Sequence, residues 1–191
     1  MNADEFSKIA SIEQASLFSA ACAERASGIL FWVVSEGDRS DDLDRYREAL
    51  EMLWNPAPGD PSRYSSARHA LEGMREMRVG DELEGPSAHA LHGVVILHSA
   101  LRTLAEESAA ALEECSMAGR NSAFRIESRT GHRLLSEEER CQAEDIESLL
   151  AGEGVDKIRD NARRYGRERL DLLYKNYRQS NLGPEVRRAD E

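Results

Sequence analysis

No proline occurs between Pro86 and Pro184. That stretch lacks the strongest helix breaker, in a chain where Ala and Leu number 44 and Val, Ile and Thr only 16. Ala and Leu lose little on entering a helix, whereas strands favour β-branched residues, so helix is the conformation left to build from. Three of the other prolines, Pro56, Pro58 and Pro61, crowd into one turn.

Apolar spacing divides the chain into about seven helices. The first runs from about Ser11 to Ser35 and contains the run Ile29–Val34, apolar all round, which marks it as central to the core. Ser40 is expected to cap the second, with Asp41 and Asp42 in its first turn and Leu43, Tyr46, Leu50 and Leu53 on its apolar face. The third follows Pro61, and the fourth begins near Ser87 with a face of Leu91, Val94, Leu97, His98, Leu101 and Leu104. The fifth follows closely or continues it to about Arg129, on a face of small residues including Cys115, Gly119 and Ser122. Ser136-Glu137-Glu138-Glu139 reads as a capping box opening the sixth, with Ala143, Ile146 and Leu150 as its face. The seventh spans Val155 to Ser180. No fixed period recurs. The expected fold is therefore all-α: a single compact, non-repetitive helical bundle over 1–183, followed by a charged, disordered tail at 184–191.

The net charge is −11, which opposes nucleic-acid phosphates and anionic lipid and favours a basic protein partner. The longest apolar run is too short to cross a bilayer, and Met1-Asn2-Ala3-Asp4-Glu5 has no signal-peptide pattern. Cys22, Cys115 and Cys141 are odd in number and widely spaced, which points to reduced thiols and a cytoplasmic location.

Motifs of catalysis are missing: no P-loop, no complete Gly-x-Gly-x-x-Gly, no Gly-x-Ser-x-Gly, no His-Glu-x-x-His. No metal or cofactor is expected. His89 and His92 read as surface histidines, and His98 as a hydrogen-bonded core histidine on the opposite side of the same helix. Glu24 and Arg25 lie in a small-residue stretch of the central helix, where a buried charge needs a partner. They read either as an ion-pair network fixing helix register or, with His98, as the lining of a polar pocket. Glu36, Asp38, Asp41, Asp42 and Asp44 form a candidate acidic interaction surface, whereas Glu113 and Glu114, Glu137 to Glu139, and Glu144, Asp145 and Glu147 read as helix starts and solvated faces. The seventh helix carries eight Lys/Arg against four acids, and the other 17 Lys/Arg and 32 Asp/Glu give the remainder about −15. It is expected to dock on acidic neighbours rather than on nucleic acid.

Ala21-Cys22-Ala23-Glu24-Arg25, the stretch Tyr46 to Trp54, and Ser180-Asn181-Leu182-Gly183 resemble, in order and spacing, the bacterial YjaG-like family of unknown function. The middle of the chain, Asn55 to Glu84, departs from it. The resemblance implies an all-helical, non-repetitive fold and brings no catalytic residues. Glu24, Arg25 and Trp54 match its motif positions. The functional expectation is a non-enzymatic protein-interaction module, in its sharpest form an immunity- or antitoxin-type inhibitor of a basic toxin. The rival expectations are a small-molecule binder or enzyme with a pocket near Glu24, Arg25 and His98, and a nucleic-acid-associated regulator acting through the last helix.

Overall fold

The computed structural model describes residues 1–57, 59–106, 108 and 111–180. Among these the chain is all-α, with no strand: α1 (Ala3–Ser7), α2 (Ile12–Glu36), α3 (Ser40–Trp54), α4 (Pro61–Glu72), α5 (Arg75–Val79), a 3-10 turn (Gly80–Glu82), α6 (Gly85–Ala105), α7 (Ala111–Thr130), α8 (Leu134–Leu150) and α9 (Val155–Gln179). The seven expected helices are α2, α3, α4 and α6 to α9. The two not anticipated, α1 and α5, have five residues each, too short for an apolar period to register. α6 and α7 are separate helices. The tail expected at 184–191 lies outside the described residues.

α2 is the axis of the molecule. Ser11 starts it with a capping box: its hydroxyl accepts from the Gln14 amide at 3.1 Å, and the Gln14 side chain accepts from the Ser11 amide at 3.0 Å. α3, α6, α7, α8 and α9 all pack against it. Buried alanines at 20, 21, 23 and 26 let them come close. At Gly93 of α6 an added Cβ would sit 3.3 Å from the Ala26 carbonyl oxygen. At Gly166 of α9 it would sit 3.1 Å from the carbonyl oxygens of both Glu24 and Arg25. The Tyr46 hydroxyl donates to the carbonyls of Ala23 and Gly93, pinning α3 where α2 and α6 meet.

Taken whole rather than by its longest apolar run, α2 is long and apolar enough to span a bilayer, alone among the described helices. Yet 83% of its most apolar window is buried inside the protein, so that surface is already covered by the other helices. One apolar cluster extends from Phe6 through α2 and α6 to Tyr177.

Two helix starts differ from expectation. Arg39, not Ser40, precedes α3, and no side chain caps it. α8 begins at Leu134, so Ser136 lies inside its first turn and its hydroxyl donates to the Arg133 carbonyl. With the start moved back, the buried stripe of α8 becomes Leu134, Glu138, Cys141, Gln142, Asp145, Ile146 and Leu149. Leu150, expected inside, is exposed.

Candidate functional site

That stripe carries three polar residues into the core, where they meet Arg25. The Arg25 guanidinium lies across the Glu138 carboxylate, Nε to Oε2 at 3.0 Å and Nη2 to Oε1 at 3.1 Å. Its Nη1 donates to Asp145 at 2.6 Å and its Nη2 also reaches the Cys22 sulfur at 3.3 Å. Arg169 of α9 adds Nη1 to Glu138 Oε2 at 2.7 Å. Gln142 donates to Glu138 at 2.7 Å and to the Ser116 carbonyl at 3.1 Å, and accepts from the Ser116 hydroxyl at 2.6 Å. Two arginines and two acids thus face each other in the interior, tying α2, α8 and α9 together, with α7 joined through Ser116.

Burial alone would raise the Glu138 carboxyl, but Arg25, Arg169 and the Gln142 amide hold it down at about 2. Among the described residues Asp145 has Arg25 alone as an ion-pair partner, and burial wins there, pushing it up to about 6. Among the described residues Arg169 satisfies only one nitrogen; its Nε and Nη2 are buried there with no hydrogen-bond partner. The charges are mutually compensated and closed off, an arrangement suited to fixing helix register rather than to chemistry on a substrate. Glu138 and Asp145, both expected to be solvated, are buried, because the phase of α8 turns them toward α2 with Leu134 and Ile146.

Glu24 is also buried but faces the other way. Trp54 Nε1 donates to it at 2.8 Å and Arg163 Nε at 3.1 Å, with Arg159 Nε 3.8 Å away. Arg159 also pairs with Glu51 and lies over the Trp54 ring. Three of the eight cations of α9, Arg159, Arg163 and Arg169, are therefore turned onto Glu24 of α2, Glu51 of α3 and Glu138 of α8, and the other five are exposed.

His98 does not join Glu24 or Arg25. It is about a quarter exposed, and its Nε2 pairs at 3.2 Å with Glu72, which also holds His69. α6 turns the line Leu91, Val95, His98 and Arg102 toward the rim, while His89 falls in register with Ile96 and Thr103 on a buried line. The expected assignment is thus reversed: His89 is the core histidine, against Tyr177, and His92 is half-buried. Burial, then His92, Arg129 and Arg125, hold His89 down at about 4. Arg129 stacks over Tyr177 at 3.9 Å.

On the surface, the acids from Glu36 to Asp44 are interleaved with bases. Asp42 pairs with Arg39 at 3.1 Å and Arg45 at 3.2 Å, Asp44 lies 3.8 Å from Arg47, and Glu36 accepts from Trp32 Nε1. Asp38 and Asp41 line a shallow depression with Arg39 and Arg45. A larger cleft, about 590 Å³, opens between α1, α7 and α8. Among the described residues no group of three or more His, Cys, Asp or Glu is placed to hold a metal.

Fold and site together define a class: an all-α protein whose interior charges are matched to one another and whose open surface is acidic. No family model, curated protein or solved structure matches the chain.

Proposed function

We propose that this protein is a non-catalytic helical interaction module that captures a basic protein partner. The observation that carries this reading is the distribution of charge. Three of the eight cations of α9, Arg159, Arg163 and Arg169, are engaged by Glu24, Glu51 and Glu138, and the exposed Lys157, Arg164, Arg167, Lys175 and Arg178 share the helix with the exposed acids Asp156, Asp160, Glu168 and Asp171. Only four acids and two arginines are buried among the described residues, so most of the charge of −11 lies elsewhere. Such a surface steers a cationic partner and repels nucleic acid. The narrower form, an acidic inhibitor of the immunity or antitoxin type that sequesters a basic toxin, rests on this charge and on the small helical fold. The YjaG-like resemblance is compatible with it and adds no residue role.

The test is fluorescence anisotropy with labelled cationic, neutral and anionic polypeptides and with duplex DNA, at low and physiological salt. The cationic polypeptide should bind, with an affinity that falls as salt rises. Micromolar binding of DNA with a steep salt slope, or equal binding of all three polypeptides, would overturn the proposal.

A further inference from the structure

The cleft between α1, α7 and α8 has a volume of about 590 Å³ and a mixed lining. Ala143 and Ile146 of α8 form its apolar floor, and Met117 of α7 stands beside them 55% exposed. Asp4, Glu113, Glu114 and Glu139 surround it, and Arg120 is the one basic side chain in the lining. These acids differ in how far they are engaged. Glu114 is held by Arg102 at 2.6 Å and Asp4 by Lys8 at 2.9 Å. Glu113 receives the Ser7 hydroxyl at 3.3 Å and lies beside the Asp4–Lys8 pair, and Glu139 meets Arg120 at no closer than 4.0 Å. Among the lining acids Glu113 and Glu139 are thus the ones without a close ion pair of their own, and they are placed to share a cation from outside. The inner wall is Ser116 and Gln142, locked to each other and to buried Glu138, so the cleft is built on a rigid support.

We infer that this cleft is the docking site for a basic segment of the partner, an amphipathic stretch that sets a Lys or Arg between Glu113 and Glu139 and an apolar side chain against Met117 and Ile146. This rests on the reading of the protein as an acidic interaction module and locates its binding face. Charge complementarity selects the occupant. A second copy of the chain would bring −11 to an acidic rim, and a nucleic acid or anionic lipid would meet the same repulsion. The surface from Glu36 to Asp44 lacks this combination: Asp42 is held by Arg39 and Arg45, and the depression that Asp38 and Asp41 line has no apolar side chain in it.

The test labels a Met117→Cys variant with an environment-sensitive fluorophore; the three native cysteines are buried, so the label goes to position 117. The probe is a short lysine–leucine amphipathic peptide, with a glutamate–leucine peptide as its counterpart. Unlabelled proteins are compared by anisotropy on the labelled peptide. The lysine–leucine peptide should shift the fluorophore's emission and bind the wild type. The Glu113→Gln/Glu139→Gln variant should bind about tenfold more weakly with a flatter salt dependence, and an Asp41→Asn/Asp44→Asn variant within about twofold of wild type. All these positions are exposed, so unchanged melting curves verify the fold. Loss of binding in the α3 variant but not in the cleft variant would overturn the cleft assignment and leave the interaction module standing. No wild-type binding of the lysine–leucine peptide, or equal binding of its counterpart, would overturn both. Self-association abolished by Met117→Glu would make the occupant a second copy and refute the inference.

Discussion

Replacing Glu138 by Gln keeps the shape of the side chain and removes the one charge that two buried arginines share. Glu138 accepts from Arg25 Nε and Nη2, Arg169 Nη1 and Gln142 Nε2. In the Glu138→Gln variant Arg25 keeps Asp145, but Arg169 keeps no anion among the described residues. Removing one partner of a buried pair costs about 3–5 kcal/mol. A second route reaches a similar figure: holding the carboxyl at about 2 instead of its ordinary 4.5 corresponds to about 3 kcal/mol of preference for the charged form. For a domain of this size each kcal/mol moves the melting temperature by roughly 2–4 °C, so the variant should melt about 10 °C lower. Calorimetry at pH 7 measures this. A second substitution sharpens the reasoning: adding Arg169→Met removes the stranded cation and should restore part of the loss, giving clear non-additivity in the cycle. Melting of Glu138→Gln within about 2 °C of wild type, or strictly additive substitutions, would refute the view of the cluster as a compensated buried network.

Three further outcomes follow from the same structure. Gly166→Ala should destabilise by roughly 1–3 kcal/mol, because its Cβ would meet the α2 backbone at 3.1 Å, whereas Gly28→Ala in the same seam, with contacts at 3.6 Å, should be neutral or stabilising by up to about 1 kcal/mol; chemical denaturation compares them. His89, held near 4 when folded against about 6.5 when unfolded, stabilises fully above pH 6.5 and loses that contribution as pH falls toward 4, while Asp145, raised to about 6, gains over nearly the same window. His89→Gln should therefore gain up to about 3 kcal/mol on wild type between pH 7 and 4, and an imidazole NMR titration placing His89 above 6 would contradict this. Burial raises the thiols, Cys22 well above its ordinary value, Cys115 to about 12 and Cys141 to about 11, so all three should resist alkylation in the native protein and react once it is denatured; rapid native labelling at neutral pH would count against the packing.

The helices were legible where periodicity and proline act locally, as in α2 and α9. The need of Glu24 and Arg25 for partners was also legible, since neither charge can sit unpaired among alanines. Which residues would answer them was not. Glu138, Gln142 and Asp145 lie at helical spacing with Leu134, Ile146 and Leu149, so the signal was present in the phase of α8. Reading Ser136 as a cap shifted the start of the helix and hid that phase. On α6 the apolar residues cover so much of the circumference that the core side could not be assigned from spacing, and His98 and His89 exchanged roles. The cleft depends on where α1 and α8 come to rest against α7, a tertiary outcome that no single stretch of sequence encodes.

Arg25 has consequences for how the chain is made. Its two acidic partners lie 113 and 120 residues downstream, and Glu138 also requires Arg169. While the protein emerges from the ribosome, α2 to α7 can gather with a guanidinium at their centre that only water can solvate. The bundle cannot close over it until α8 and then α9 have been synthesised, so the nascent chain must stay open along that seam until both helices have emerged. Chains truncated after Leu150 should accordingly remain protease-sensitive throughout α2, and protection should appear only once α9 is included.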